Sequence, residues 1–481
     1  MIRQTKIVAT IGPASADESM LRELIKAGVN VCRLNFSHGT HDDHAKVLER
    51  IRKLEVELAR PIAVLQDLCG PKIRTGNLPD GHVELVPGEE VTLVPADEKA
   101  SPDRHRIGTT YDDLATDAAP GERVLLDDGL IELVILAVNP ARHEVRCRVI
   151  YGGTLRERKG VNLPETRLRI PSVTKKDRED LAWGLDHGVD YVALSFIRHE
   201  DDLAEVREAA KAVKSPPRLI SKIEKPQAVA RMAQIIDASD GIMVARGDLG
   251  VEMPVYEVPA IQKRLIREAV FRDRFVITAT QMLESMTEHA RPTRAEVSDV
   301  ANAIYDGTDA VMLSAETASG KYPVEAVRMM ARVAETADRS VAESNLPHAE
   351  TRVDTSTFSD SICDGANRIA QDLGAQILVT FTKTGRTALF MSRYRPKIPV
   401  VAVTDDVRSV RRMCVFRGVE PILVTSVERS EELVTATEQE IVKRKLAHAG
   451  DVAVMVGGSN LSTRGNVNSL KIRRIGSASE A

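Results

Sequence analysis

Short apolar runs that end in a polar or charged residue recur along the first two thirds of the chain. Most of them are separated by segments with helical spacing, which indicates parallel strands joined by crossover helices. Eight such strands close a barrel, and the chemistry of such a barrel lies at the C-terminal ends of its strands. The runs are TKIVATIG (5–12), VCRLNFS (31–37), PIAVLQD (61–67), YVALSF (191–196), RLISKIE (218–224), GIMVARGD (241–248), RFVITATQ (274–281) and AVMLSAE (310–316).

An internal repeat supports the barrel. In each copy a glycine is expected to end a helix, and the strand that follows ends on a polar side chain in the same register. Two predicted helix starts support the same alternation of helices and strands, because Ser15 with Glu18 and Thr293 with Glu296 have the spacing of a capping box. The three copies span residues 28–35, 188–195 and 307–314.

The pattern changes twice along the chain. Residues 71–170 alternate as strands and turns, which predicts an inserted β-barrel domain that leaves the main barrel on its active-site side and acts as a lid. Strands and helices alternate again over 355–481, which predicts a doubly wound C-terminal α/β regulatory domain. We therefore predict an α/β protein with a (β/α)8 TIM barrel over 1–70 and 171–345, interrupted by an all-β lid.

Composition excludes several classes of function. A net charge of −4 gives no general affinity for nucleic acid or membranes, and 3% aromatic residues argues against base stacking. The chain has no apolar stretch long enough for a signal peptide or a membrane span, so we expect a cytoplasmic protein. Five cysteines without a C-x-x-C spacing suit reduced thiols.

Two carboxylates and a lysine end neighbouring runs. Glu224 and Asp248 are candidate ligands for Mg²⁺ or Mn²⁺, with water and substrate oxygens completing the shell. Lys222 lies two residues before Glu224, so strand alternation puts both on one face. An ammonium there can neutralise charge on a transferring phosphoryl group. The alternative is an ordinary salt bridge that closes the top of the barrel.

Further candidates surround this group. The turn 247–250 offers backbone N–H groups for a carboxylate or phosphate, although a plain tight turn explains it equally well. Arg33 and Arg74 can bind phosphate through two parallel hydrogen bonds, or they are solvated surface charges. Thr280 and Ser314 can orient a water molecule and relay a proton, or they are structural hydroxyls.

A loop of the C-terminal region combines hydroxyls, cations and a helix N-terminus. Together these suit a bound phosphate, although the G-x-x-x-x-G-K-[ST] order of a P-loop is missing. A capped surface turn is the alternative. The loop residues are Thr382, Lys383, Thr384, Gly385, Arg386 and Thr387.

Six motifs taken together closely resemble the pyruvate kinase family, and the resemblance runs nearly end to end. It implies phosphoryl transfer between phosphoenolpyruvate and ADP, the last step of glycolysis, giving pyruvate and ATP with Mg²⁺ or Mn²⁺ required. It also implies a homotetramer and control by a phosphorylated effector, a sugar phosphate or a nucleotide, at the 382–387 loop. The motifs are LNFSHG (34–39), GPKIRTG (70–76), SKIE (221–224), VARGDLGVE (244–252), TATQMLESM (278–286) and MLSAETASGKYP (312–323).

The resemblance also implies a role for each site residue. The metal is held by Glu224 and Asp248, the phosphoryl group is stabilised by Lys222 and Arg33, and the substrate carboxylate is held by the Thr280 hydroxyl and the N–H groups of Gly247 and Asp248. Thr280 and Ser314 position the water that protonates the enolate. Arg74 and Lys159 contact the nucleotide phosphates.

One departure concerns potassium. Many family members bind K⁺ at the positions of Asn35, Ser37, Asp67 and a threonine where this chain has Leu68. They also carry a glutamate where this chain has Lys72. The combination here resembles the K⁺-independent branch, because a tethered ammonium can supply the charge of the ion. We therefore predict that K⁺ is not required.

Two other functions remain open. A catalytically silent, metabolite-sensing relative would be expected to lack Lys222, Glu224 or Asp248, and all three are present. A carbon–carbon lyase on a similar metal-bearing barrel would have no nucleotide to clamp, which disagrees with an inserted domain carrying Lys159.

Overall fold

The computed structural model describes residues 3–96, 103–343, 358–424, 430–458 and 467–476. Within these ranges, no helix is both long enough and apolar enough to cross a bilayer. The strands are β1 (Lys6–Ile11), β2 (Val31–Asn35), β3 (Ala63–Asp67), β4 (His82–Leu85), β5 (Glu90–Pro95), β6 (Arg106–Thr109), β7 (Arg123–Leu126), β8 (Ile131–Asn139), β9 (Glu144–Tyr151), β10 (Gly153–Arg156), β11 (Val161–Asn162), β12 (Tyr191–Leu194), β13 (Arg218–Ile223), β14 (Gly241–Ala245), β15 (Phe275–Ala279), β16 (Ala310–Leu313), β17 (Ile377–Phe381), β18 (Val400–Thr404), β19 (Val419–Leu423), β20 (Val452–Gly457) and β21 (Ser469–Arg474). The α-helices are α1 (Glu18–Ala27), α2 (His41–Glu57), α3 (Leu114–Asp117), α4 (Lys175–His187), α5 (Ala204–Ala210), α6 (Pro226–Ala230), α7 (Met232–Ala238), α8 (Arg246–Glu252), α9 (Val258–Phe271), α10 (Arg294–Tyr305), α11 (Ala315–Ala318), α12 (Pro323–Glu343), α13 (Phe358–Asp372), α14 (Arg386–Arg393), α15 (Val407–Arg412) and α16 (Ser430–Lys443).

Eight parallel strands close a barrel in the order β1-β16-β15-β14-β13-β12-β3-β2. Each strand is buried on both faces. In β1, Val8 belongs to the cluster inside the barrel, whereas Ile7 and Ala9 belong to the cluster beneath the surrounding helices. Burial on both sides explains why the runs are continuously apolar and not alternating. The predicted barrel is confirmed.

One of the two predicted capping boxes is present. The hydroxyl of Thr293 and the carboxylate of Glu296 cap α10 reciprocally. At α1 the prediction is wrong, because Asp17 is the N-cap and accepts two backbone N–H groups of the first turn. Ser15 instead accepts a hydrogen bond from the Gly12 N–H at 3.1 Å. The Asp17 carboxylate already accepts the free N–H groups of the first turn, so the Ser15–Glu18 pair does not cap this helix.

The insertion after β3 consists of a six-stranded sheet, β11-β7-β8-β9-β5-β6, and a two-stranded sheet, β10-β4. One short helix, α3, interrupts the strands. Asn162 of β11 donates to Glu252 Oε1 at 2.6 Å, and Lys225 reaches the same oxygen at 2.5 Å. The insertion is therefore joined to the barrel next to the segment that follows β13.

The C-terminal region contains a five-stranded sheet, β19-β18-β17-β20-β21, in which only the edge pair β20–β21 is antiparallel among the described strands. Helices cover both faces. In β17, Leu378 shares a core with Cys363 of α13, whereas Ile377 and Val379 share another with Leu433 of α16. The predicted doubly wound α/β architecture is confirmed.

This domain packs against the N-terminal ends of the barrel strands. The rings of Phe275 and Phe416 lie 5.8 Å apart, centroid to centroid. Ion pairs surround this contact, including Arg417–Asp338 at 2.9 Å and Arg395–Asp309 at 2.7 Å. The predicted domain ends at 345 and 355 lie outside the described residues.

Candidate active site

The candidate residues of the barrel collect at the C-terminal ends of its strands. Arg33 lies on β2, Asp67 ends β3, Lys222 lies on β13 and Glu224 follows β13 directly. Asp248 does not end a strand as expected. It lies in the first turn of α8, three residues beyond the end of β14, because the chain enters the helix directly from the strand.

The Lys222 ammonium is the centre of a buried charge cluster. Its Nζ lies 2.8 Å from Glu224 Oε1 and 3.4 Å from Asp67 Oδ1. It also donates a hydrogen bond to Ser195 Oγ at 2.8 Å. Burial lowers the pKa of Lys222, but the surrounding carboxylates outweigh that effect and raise it, so the lysine stays protonated.

Arg33 and Asp67 form the second part of this cluster. Arg33 Nε lies 2.6 Å from Asp67 Oδ2, and Arg33 also donates to the Thr10 hydroxyl at 2.9 Å. Burial raises the pKa of Asp67, but Lys222 and Arg33 together hold it below its usual range. Arg33 is therefore a buried, oriented guanidinium and not a solvated surface charge.

Glu224 has the chemistry of a metal ligand. Phe196 N–H donates to its Oε2 at 2.7 Å, and its buried Oε1 lies 2.8 Å from the Lys222 ammonium. Burial and the like charge of Asp248 raise the pKa of Glu224 despite the neighbouring lysine. A bound cation would reverse that shift. The described residues contain no cluster of three or more potential metal ligands, so two carboxylates leave most of an octahedral shell to water and substrate.

Gly247 and Thr280 meet in the adjacent turn. The Gly247 N–H donates to Thr280 Oγ1 at 2.7 Å. A Cβ on Gly247 would lie only 3.3 Å from that hydroxyl, so a side chain would press on the threonine. The structure brings these two predicted carboxylate-binding groups together, with the Gly247 N–H already engaged.

Thr280 has a strained backbone. Its φ of +70° is unusual for a β-branched residue, and Gln281 follows at +53°. Arg246 supports this turn, because it donates to the Thr280 carbonyl at 2.8 Å and pairs with Asp299 at 2.7 Å. Strain held by such a network is typical of functional sites.

Ser314 lies at the end of β16 next to a buried acid. Its Oγ is buried and has no hydrogen-bond partner among the described residues. Glu316 accepts the backbone N–H groups of Ser314 at 2.6 Å and Leu283 at 3.1 Å, and burial raises the pKa of Glu316. An unused hydroxyl at a strand end suits binding of a water molecule.

The residues predicted for the monovalent-cation site are only partly assembled. Asn35 accepts the backbone N–H of Ser37 at 3.1 Å, and the Leu68 carbonyl accepts the Ser195 hydroxyl at 2.7 Å. Lys72 is not paired with Asp67. In the described part of the chain it makes no ion pair, and it lines a cavity between barrel and insertion.

The two predicted nucleotide-binding residues lie on paired segments of the insertion. Arg74 forms an isolated β-bridge with Gly160, next to Lys159. The Lys159 ammonium pairs with Asp127 at 2.8 Å, and Arg74 donates to the Arg158 carbonyl at 3.1 Å. The two residues therefore lie on neighbouring backbone segments of the insertion.

Residues 382–385 connect β17 to α14 as predicted, and Arg386 and Thr387 begin the helix. Gly385 N–H donates to the Thr382 hydroxyl at 3.0 Å, and Lys383 pairs with Asp405 at 2.5 Å. These contacts also satisfy the alternative of a capped turn. Arg218, the first residue of β13, donates to the Thr384 carbonyl at 2.6 Å.

Sequence reasoning missed Ser195, Glu316 and Arg246. Ser195 was visible as the polar end of the second repeat, in register with Asn35 and Ser314. Nothing in the spacing showed that its hydroxyl bonds the lysine of the next strand. Glu316 and Arg246 lie within the recognised motifs but carry no signal of their own.

Comparisons with known proteins agree over nearly the whole chain. A family profile described as "Pyruvate kinase, barrel domain" matches residues 2–327, and one described as "Pyruvate kinase, alpha/beta domain" matches residues 360–473. A pyruvate kinase of Geobacillus stearothermophilus is 41% identical over 476 residues, covering 99% of this chain and 81% of the relative. A pyruvate kinase of Staphylococcus aureus (strain USA300) is 41% identical over 475 residues, with the same coverage. The crystal structure of a pyruvate kinase from Cryptosporidium parvum superposes with a TM-score of 0.91 at 34% identity, covering 98% of this chain and 96% of the other.

Proposed function

The chain belongs to the pyruvate kinase family and is a phosphotransferase, and on this premise we propose that it transfers the phosphoryl group of phosphoenolpyruvate to ADP. The products are pyruvate and ATP. The observation that carries the proposal is the buried Lys222 ammonium, held between Glu224 and Asp67 at the C-terminal ends of the barrel strands. Neither a silent sensor nor a carbon–carbon lyase accounts for both the buried Lys222 cluster and the cations Arg74 and Lys159 on the insertion.

The cluster has the charge balance that this reaction needs. Lys222 and Arg33 face the carboxylates of Asp67, Glu224 and Asp248, which leaves one net negative charge. Glu224 and Asp248 would hold Mg²⁺ or Mn²⁺, whose charge would draw in the phosphate and carboxylate oxygens of the substrate. Lys222 and Arg33 then stabilise charge on the phosphoryl group as its bond to the enol oxygen breaks and its bond to the ADP oxygen forms.

The remaining residues orient the substrate and finish the reaction. The Thr280 hydroxyl and the N–H groups of Gly247 and Asp248 bind the substrate carboxylate, with the Gly247 N–H exchanging its bond to Thr280 for one to substrate. A water molecule positioned by Thr280 and the unpaired Ser314 hydroxyl protonates the methylene carbon of the enolate, which gives pyruvate.

Arg74 and Lys159 bind the nucleotide phosphates from the insertion, which closes over the strand ends as a lid. Their placement on neighbouring segments supports this role, because two nearby cations can engage adjacent phosphate groups. Lys72 supplies the positive charge that K⁺ supplies in other members. Asp67 also needs no added cation, since Arg33 and Lys222 already neutralise it.

Regulation and assembly are part of the same proposal. We propose that a phosphorylated effector binds Thr382–Thr387 and that the enzyme is a cytoplasmic homotetramer. Val255 and Tyr256 support an oligomer, because they are 72% and 79% exposed next to α9. The domain limits remain those predicted, 1–70 with 171–345, 71–170 and 355–481.

A single assay tests the central proposal. Pyruvate formation from phosphoenolpyruvate is measured with Mg²⁺, in the presence and in the absence of ADP. We expect pyruvate and ATP to form in equal amounts and only when ADP is present. Pyruvate released without ADP, or no pyruvate in either case, would contradict the proposal.

A further inference from the structure

The Lys222 ammonium has three donors and three acceptors around it. Glu224 Oε1 and Ser195 Oγ both lie 2.8 Å away, and Asp67 Oδ1 lies 3.4 Å away. Each carboxylate also interacts with a second cation. Asp67 pairs more closely with Arg33, and Glu224 is the proposed metal ligand. The Ser195 hydroxyl is the acceptor whose bond to Lys222 does not compete with another charge.

The orientation of this hydroxyl is set by the neighbouring strand. Ser195 is 3% exposed, and its Oγ donates to the Leu68 carbonyl at 2.7 Å. A hydroxyl has a single proton, so the oxygen must present a lone pair to Lys222. Gly70, where φ is +68°, lies next to this serine, because a Cβ there would be only 3.0 Å from the Ser195 Cβ.

The next residue holds the other half of the cluster. Phe196 adopts a φ of +56°, and its N–H donates to Glu224 Oε2 at 2.7 Å. The two residues that follow β12 therefore fix both the lysine and the carboxylate of β13. Their separate bonds allow the lysine to keep its place when Glu224 turns toward a cation.

We propose that Ser195 is a positioning residue for phosphoryl transfer, which holds the Lys222 ammonium in line through a hydroxyl oriented by the Leu68 carbonyl. This inference rests on the proposed function, because Ser195 acts through Lys222. It concerns turnover and not substrate binding. The metal ligands stay in place without Ser195, since Glu224 is held by the Phe196 backbone.

The test compares Ser195→Ala with Ser221→Ala. Ser221 is a matched control, because it is a buried serine on the next strand whose hydroxyl bonds Ser239 Oγ at 2.7 Å. We expect Ser195→Ala to lower kcat about tenfold or more, the loss of one hydrogen bond to a charged group. The KM for phosphoenolpyruvate and the affinity for Mn²⁺ should stay within about twofold, as should every constant of Ser221→Ala.

Two further variants separate positioning from structural support. In a Lys222→Met background, Ser195→Ala should cause no additional loss of the residual rate, because the group it positions is gone. Ser195→Thr keeps the hydroxyl, so a kcat within about threefold of wild type is expected. That variant decides the matter if the alanine protein does not fold.

Three results would overturn the inference. They are a Ser195→Ala kcat equal to that of Ser221→Ala, an equal loss with and without Lys222, and a folded Ser195→Thr enzyme that loses tenfold or more. A wild-type protein that forms no pyruvate from phosphoenolpyruvate and ADP would instead defeat the proposed function. The two failures are therefore distinguishable.

Discussion

Replacing Lys222 with methionine tests the charge cluster most directly. The side chain is 12% exposed and faces two carboxylates that are each 1% exposed. Its removal leaves Arg33 alone against three carboxylates. We expect kcat to fall at least ~10²-fold, because the lost charge acts mainly as the phosphoryl group loosens. Proton exchange into the pyruvate methyl group should survive, since that step moves no phosphate.

The same change should alter stability in a pH-dependent way. Breaking a buried pair costs about 3–5 kcal/mol when the remaining charge stays ionised. Glu224 can avoid part of this cost, because its pKa is already raised by burial and Asp248, and loss of Lys222 raises it further. The folded variant then binds more protons than the unfolded chain, so its stability should decrease as pH rises above the unfolded pKa of a glutamate.

Two measurements check this prediction. A coupled assay gives kcat at saturating phosphoenolpyruvate, ADP and Mg²⁺, and urea unfolding between pH 5.5 and 8 gives stability with and without Mn²⁺. Mn²⁺ should stabilise the variant by replacing the lost positive charge. Lys321→Met is the control, because that lysine is 65% exposed and pairs with Glu288 at the surface. A folded Lys222→Met enzyme with near wild-type kcat would refute the reasoning.

Four further predictions concern other parts of the molecule. Glu224→Gln and Asp248→Asn should each raise the Mg²⁺ concentration needed for activity, because a neutral ligand replaces an anionic one; an unchanged Mg²⁺ titration in both would favour a plain salt bridge. Wild-type activity should be nearly the same with and without ~100 mM K⁺ at matched ionic strength, and a rise of tenfold or more, about 1.4 kcal/mol of barrier, would show that Lys72 does not replace the ion. Arg386→Ala should blunt activation by a phosphorylated metabolite while leaving unactivated turnover unchanged, with a coupling of ~1–3 kcal/mol; a panel of sugar phosphates and nucleotides that neither binds nor activates the wild type would leave the loop a plain turn. Burial lowers the pKa of His44, so the unfolded chain binds more protons and stability should fall as pH decreases below the unfolded histidine pKa of ~6.5; urea unfolding should show a weaker pH dependence in His44→Gln.

The sequence was sufficient for the barrel and for the strand ends that carry charge. Apolar runs that end in Arg33, Asp67 or Glu224 follow the strand period, so the residues on one face could be predicted. The resemblance then added roles that spacing alone left open. Helix starts were less certain, because several nearby side chains can serve as the N-cap, and at α1 Asp17 displaced the expected Ser15.

Contacts between different strands could not be predicted. Strand period places Lys222 and Glu224 on one face but does not show that Ser195 of the neighbouring segment bonds the ammonium. Lys72 illustrates the same limit, since its place in the motif suggested proximity to Asp67 and the structure pairs Asp67 with other cations. Such contacts depend on barrel stagger and on loop paths, which a single sequence does not encode locally.

The N-terminal ends of the barrel strands limit how this chain can be truncated. Tyr191 and Phe275 are 1% and 0% exposed inside the barrel, and both contact the segment of the C-terminal domain that contains Arg412 and Phe416. A chain that ended before α13 would uncover these rings and leave an apolar opening at the base of the barrel, which is a liability for aggregation. The C-terminal domain therefore also closes the base of the barrel. The barrel could therefore carry out its chemistry with its own residues and still need the C-terminal domain to stay in solution.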